Sequence, residues 1–288
     1  MSMDIVINFT RQLFMLIQKT RYVFDFDGVI CNSIEECYFT AFVLYFKKNK
    51  YLLFKKFYKK YFSILKKLRV FAKSGLDYYV IMYILDKNLE VKNIDNFIKI
   101  KNKIRIDKKK FNKLFYYYRN KNRKENYYLW ILLNPLYKGL KSFIKKLIDQ
   151  KLFYILTYKD RQSVIDILKE NKILIPKKNV ISVSYDNSKK TFFTKKNNYI
   201  FIEDNIYNLL DVNLKNAKKF LATWGYNSKQ EISLARRNNI RAISLLDLRK
   251  LTESFWATCL PQNLLYISVN ILIIYLFLSL LIIFFKRA

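Results

Sequence analysis

Short apolar runs that each end in polar residues recur along the chain: YVFDFD (22–27), LFYILT (152–157), VISVS (180–184), YIFIED (199–204), KFLAT (219–223) and RAISL (241–245). Each has strand length and is rich in β-branched or aromatic residues. Helical spacing separates the later runs. Leu140, Phe143, Ile144, Leu147 and Ile148 follow i, i+3, i+4, i+7, i+8 just before LFYILT, and Val164, Ile165 and Leu168 form a second apolar stripe behind a candidate N-cap at Asp160. Apolar runs without polar alternation, alternating with helices, predict an α/β fold whose parallel sheet is covered on both faces.

Two stretches depart from that pattern. Residues 33–134 are aromatic and lysine-rich, as in YLLFKKFYKKYFSILKKL (51–68), and carry no strand signal. They predict a mostly helical insertion that ends near Pro135, because proline disfavours helix at the residue before it. At the other end, Leu264 to Phe285 runs 22 residues without a charge before Lys286 and Arg287. About 20 apolar residues span a bilayer core, so 264–285 is read as a transmembrane helix. Ile5 to Ile17, interrupted by Asn8, Arg11 and Gln12, does not read as a secretory signal.

The polar ends of the runs carry the chemistry. In an open parallel sheet, ligands bind beyond the carboxyl ends of the strands. Asp25 and Asp27, Thr157, and Glu203 with Asp204 all lie at such ends. Carboxylates gathered in one crevice repel one another, and a divalent cation relieves the repulsion. Oxygen donors alone favour Mg²⁺.

Composition narrows the field. With no histidine, the chain has no His-based triad or His general base, and most zinc sites are excluded. Cys31, Cys37 and Cys259 show no metal-binding spacing and no paired framework, which points to a reducing compartment. The net charge of +32 suggests nucleic acid or anionic membrane as a partner. Heavy use of Lys, Asn, Ile, Phe and Tyr beside 4 Gly and 3 Pro is also what an A+T-rich coding sequence gives, so much of the lysine reads as drift on solvated surface.

Taken in order, DFDGV, LTYKD, a lysine at Lys189 or Lys190, and IEDN resemble the four signature regions of the haloacid dehalogenase-like hydrolases. NPLYKGLKSFIKKL resembles the segment leading into the second strand, and ATWGYNSKQEISLARRNNIRAISL the closing strand-helix-strand; the resemblance covers about residues 21 to 250. LRVFAKSGLDYYVIMYIL and the EDN…WGYNS pairing are similar to a cyanobacterial and plastid-encoded branch of uncharacterised members. Of the four glycines, Gly28, Gly139 and Gly225 sit where the resemblance requires tight backbone, and Gly75 lies in the insertion.

The resemblance implies a three-layer Rossmann-like core (1–32 and 135–255) and a helical cap (33–134), to which the apolar run adds the transmembrane segment (264–285). It implies a Mg²⁺-dependent phosphatase for a small phosphorylated metabolite. Asp25 would be the nucleophile that forms an aspartyl-phosphate, and Asp27 the general acid and base. Thr157 would bind a phosphoryl oxygen, and Lys189 or Lys190 would neutralise the phosphate. Asp25, Asp27, Glu203 and Asp204 would hold the metal. Asn208 stands where many members carry a second acid, which leaves a catalytically weak scaffold protein at a membrane as the alternative. Nucleic acid is not expected as a partner. The expected location is membrane-anchored, with the catalytic part in cytoplasm or plastid stroma.

Overall fold

The computed structural model describes residues 20–250, apart from 150, 185, 186 and 249. The predicted transmembrane segment 264–285, and Cys259, lie outside the described residues. Among the described residues, no helix is long and apolar enough to cross a membrane. Residues 18–242, as far as the second residue of the last strand, form one compact unit, Gln18–Ala242. Of the other unit only 243–248 and 250 are described, and there the Ser244 N–H donates to Asp247 Oδ2 at 2.8 Å.

In chain order the elements are β1 (Thr20–Phe24), α1 (Ile34–Phe46), α2 (Tyr51–Leu68), α3 (Gly75–Asp86), α4 (Ile94–Lys103), α5 (Lys108–Glu125), α6 (Tyr127–Leu132), α7 (Leu140–Asp149) and β2 (Phe153–Thr157). They continue with α8 (Arg161–Glu170), β3 (Val180–Ser182), β4 (Asn198–Glu203), α9 (Ile206–Asp211), β5 (Ala217–Ala222), α10 (Lys229–Arg237) and β6 (Arg241–Ile243). The strands form one sheet in the order β3-β2-β1-β4-β5-β6. Its β1–β2, β1–β4, β2–β3 and β4–β5 pairs are parallel.

Strand alternation explains why the runs are apolar throughout. Neighbouring residues of β1 point to opposite faces. Val23 packs with Phe201, Ile206, Leu209, Leu221 and Ala235. Phe24 puts its ring 5.9 Å from that of Phe143 on α7 and 5.3 Å from that of Phe153. Both faces are therefore covered, and each such side chain contributes about 1.5–3 kcal/mol relative to exposure. This is the three-layer α/β arrangement that the sequence predicts. The expected helices are present, α7 burying Leu140, Phe143, Ile144 and Leu147. The VISVS run pairs only as far as Ser182, opposite Thr157, the last residue of its partner β2.

Strand order sets the site. From β1 the chain builds β2 and β3 on one side, then crosses to β4 on the other side of β1. Such a reversal opens a crevice over the carboxyl ends of the two strands that flank it. Register brings those ends level: Phe24 pairs with Ile202, and the Asp25 N–H donates to Ile202 O at 2.9 Å.

Helices α1 to α6 occupy the interval between β1 and α7, and residues 33–134 contain no strand. They bury their own apolar cluster, including Tyr38, Phe54, Leu65, Ile81, Phe97 and Phe115. Asn93 and Asp107 cap α4 and α5, accepting from the N–H groups of Asn96 (2.9 Å) and Lys110 (3.0 Å). The stretch begins and ends in one place, since the Asn32 N–H donates to Pro135 O at 2.8 Å.

Candidate active site

Asp25, Glu203 and Asp204 meet where β1 and β4 end, each buried, each offering a carboxylate oxygen within 4.8 Å of the others. Lys189 stands among them: its Nζ lies 2.8 Å from Asp25 Oδ1 and donates to Glu203 Oε2 at 2.7 Å. Burial would lower its pKa, but Asp25 and Glu203 hold it well above the ordinary value. One ammonium does not balance three carboxylates. Burial and the charge of Glu203 push Asp25 up to about 7. Burial and Asp25 push Asp204 up to about 6. Glu203 is also raised, chiefly by burial, with Lys189 acting against it. The donors are oxygen only, close together and short of positive charge, so the set fits a hard divalent cation such as Mg²⁺.

Asp27 belongs to a second, balanced group. Its Oδ1 accepts from Lys159 Nζ at 3.1 Å. Lys159 lies 3.9 Å from Glu36, and Glu36 is held by a two-point pair from Arg119, Nε at 2.9 Å and Nη2 at 2.6 Å. Burial alone would raise Asp27, but Lys159 and Arg119 outweigh it and hold the carboxyl below its usual range. Arg119 comes from α5, so the insertion reaches the group beside β1.

Backbone geometry fixes the acidic end. Gly28 has φ 89°, in the left-handed region, and a Cβ there would overlap Asp204 Oδ2. At Gly225 a Cβ would fall 2.6 Å from Gly28 O and overlap Asp204. The next N–H, of Tyr226, donates to Asp204 Oδ2 at 2.7 Å. Thr157 closes β2 beside these groups, and its Oγ1 accepts the Lys159 N–H at 3.2 Å, a bond that does not use its own hydroxyl hydrogen. Asp25, Asp27, Thr157, Glu203, Asp204 and Tyr226 line one cleft of about 360 Å³, together with Arg69, Lys73, Arg119, Tyr158 and Asn208.

The structure thus gathers Asp25, Asp27, Thr157, Lys189, Glu203 and Asp204, and places two expected side chains elsewhere. Lys190 is outside: it is exposed, with Nζ 3.3 Å from Asp211. Lys189 and Lys190 open a 3-10 turn (Lys189–Phe192) whose successive side chains point about 120° apart, so only the first faces inward. Asp27 is not in the carboxylate cluster, because Lys159 engages its side chain. Glu203 is also partly committed, to Lys189 and to the Asn205 N–H at 3.1 Å.

Sequence reasoning missed Lys159, Glu36, Arg119 and Arg69. Lys159 had a usable signal, two residues past Thr157 at a strand end. For Arg69 and Arg119 the signal was arginine itself, in a chain whose cations are mostly lysine.

No family model matches the sequence, and none of the curated proteins does. Solved structures do resemble it. A predicted phosphatase from Clostridium acetobutylicum is 18% identical, with a TM-score of 0.46 over 81% of this chain and 98% of that one. A haloacid dehalogenase-like family hydrolase from Streptococcus pneumoniae is 16% identical, with a TM-score of 0.48 over 82% and 99%. A predicted phosphoglycolate phosphatase from Haemophilus somnus is 15% identical, with a TM-score of 0.45 over 82% and 98%. At these scores the likenesses carry no weight for chemistry, and the functional reading stands on the site itself.

Proposed function

We propose that this chain is a Mg²⁺-dependent phosphomonoester hydrolase of the haloacid dehalogenase-like type, acting through an aspartyl-phosphate on Asp25. The observation that carries the reading is the Asp25–Lys189–Glu203–Asp204 cluster at the carboxyl ends of β1 and β4, inside a cleft that also holds Asp27 and Thr157.

Each residue has a chemical task. An Asp25 carboxylate oxygen attacks phosphorus as the bond to the leaving oxygen breaks, and Asp27 delivers the proton that oxygen needs. Asp27 then takes a proton from water, whose oxygen attacks the aspartyl-phosphate and releases inorganic phosphate. Lys159 keeps Asp27 ionised in the free protein. A phosphoryl dianion brought beside it opposes that cation and raises the carboxyl towards protonation. Thr157 donates its hydroxyl to a phosphoryl oxygen, and Lys189 aligns the nucleophile and screens approaching charge. Asp25 and Asp204 would hold Mg²⁺, with Glu203 beside them, and the bound ion would neutralise phosphoryl charge and favour the ionised form of Asp25. Asn208 offers the cleft a neutral oxygen where a further acid would add charge.

We further propose that the apolar segment 264–285 anchors the protein to a membrane. Recovery of the full chain in the soluble fraction without detergent would count against this.

The test is turnover of an aryl phosphate and a panel of phosphometabolites, with and without Mg²⁺. Asp25→Asn is expected to lower the rate by about a thousandfold or more, in keeping with the loss of a covalent nucleophile. Turnover no higher than that of Asp25→Asn for every phosphoester would overturn the reading.

A further inference from the structure

Arg69 follows α2 in a short 3-10 turn (Arg69–Phe71) of the insertion and lines the cleft. Its guanidinium lies over the ring of Tyr226, with Cζ 3.9 Å from the centroid, and 5.4 Å from that of Tyr78. Nη1 donates to Ala72 O at 2.9 Å, and Nε is buried without a partner. The other cations of the cleft lining are committed: Arg119 to Glu36, and Lys73 to Glu231 at 3.3 Å. Among the described residues, no carboxylate lies within ion-pair distance of Arg69.

Arg69 is half-buried, and Asp204 acts on it only from beyond ion-pair distance; a ring face and a distant carboxylate satisfy a guanidinium only in part. Tyr226, on which it stacks, also holds Asp204 through its N–H. The cation, its Nε unpartnered, is therefore tied to the acidic end by one residue, yet it is carried by the insertion. The planar fork of arginine suits a carboxylate or phosphate, which it binds with two parallel hydrogen bonds.

Resting on the hydrolase reading above, we propose that Arg69 determines specificity by pairing with a second anionic group of the substrate, separate from the phosphoryl group that Asp25 accepts. The substrate class is then a small phosphomonoester carrying a further carboxylate or phosphate. Neutral phosphoesters such as phosphorylated simple alcohols are poor substrates. A charge-assisted pair of this kind is worth about ten- to a hundredfold in selectivity.

The experiment compares, with full-length protein and Mg²⁺, a phosphorylated short hydroxy acid, the primary amide of the same compound, and a bisphosphate of similar length. Wild type is expected to favour an anionic substrate over the amide by at least about tenfold in kcat/KM, mainly through KM. Preference for the acid or the bisphosphate tells which anion is read. In Arg69→Gln the ratio is expected to fall to within about threefold of one. Should that variant not fold, Arg69→Lys carries the test: it keeps the charge but loses the stacked fork, and the ratio is expected to drop severalfold. No preference in wild type, or an unchanged ratio in either variant, overturns the proposal. If no substrate turns over, the hydrolase reading fails, and equilibrium binding of the non-hydrolysable phosphonates of the acid and the amide decides this one. An Arg69-dependent preference sustains it, and equal binding overturns it.

Discussion

Lys189 and Lys190 have the same side chain and adjoin in sequence, yet one sits between Asp25 and Glu203 and the other faces solvent beside Asp211. The Ser188 hydroxyl accepts the Lys190 N–H at 3.0 Å and so sets the start of the turn that separates them. Removing the buried ammonium leaves three carboxylates facing one another. Lys189→Met is expected to cost about 3–5 kcal/mol in urea unfolding, together with most of the activity. Lys190→Ala, which loses an exposed pair, is expected to stay within about 0.5 kcal/mol and about twofold in rate. Equal effects of the two would refute the assignment. Gly28→Ala places a methyl where Asp204 sits and strains a φ of 89°. It is expected to cost about 1–3 kcal/mol and to weaken Mg²⁺ binding, which titration calorimetry would read. The acids and Thr157 were legible in sequence because strand ends mark where side chains converge. Which lysine turns inward was not, because that depends on the phase of one short turn.

At the scale of elements, local chemistry was largely readable. Asp160 caps α8 as its sequence suggested, its side chain accepting the Ser163 N–H at 2.9 Å. That cap follows directly on Thr157 and Lys159, and the Ser182 hydroxyl donates to Lys159 O at 2.8 Å, so two elements steady the loop between them. Asp160→Ala is expected to lower stability by about 1 kcal/mol, seen as a lower urea midpoint at unchanged slope. A steeper or shallower slope would mean that the loop, and not only the cap, had changed. The insertion was legible as helical from its aromatic, lysine-rich composition and the lack of any strand signal in it. Its contribution of Arg119 and Arg69 to the cleft was not, because pairs such as Glu36–Arg119 join residues far apart in the chain.

For the molecule as a whole, the site's surplus negative charge sets a pH dependence. Asp25 and Asp204 are raised from 3.8 to about 7 and about 6 in the folded protein. Each binds its proton more tightly folded than unfolded, so the stability it contributes is complete below about pH 3.8 and is lost as pH rises through those values. Without divalent cation, the melting temperature is expected to fall between about pH 4 and about pH 7. Asp27, held low by its cations despite burial, acts in the opposite sense at more acidic pH. The proposed Mg²⁺ site needs its carboxylates ionised, so the stabilising increment from added Mg²⁺ is expected to be larger at pH 8 than at pH 5. Differential scanning fluorimetry with and without Mg²⁺ would read this, and an increment independent of pH would contradict a carboxylate cation site.

By itself the sequence determined the alternation of buried strands and helices, the helical insertion and the acids at the strand tips. These follow from side-chain periodicity and from chemistry within a few residues. Only the tertiary structure decided how those acids are charged. Strand order placed Glu203 and Asp204 beside Asp25, and folding brought Lys189, Lys159 and Arg119 in to balance some of them while leaving Arg69, among the described residues, outside any ion pair. Electrostatic energy depends on distance through space and on burial, and neither is written in spacing along the chain.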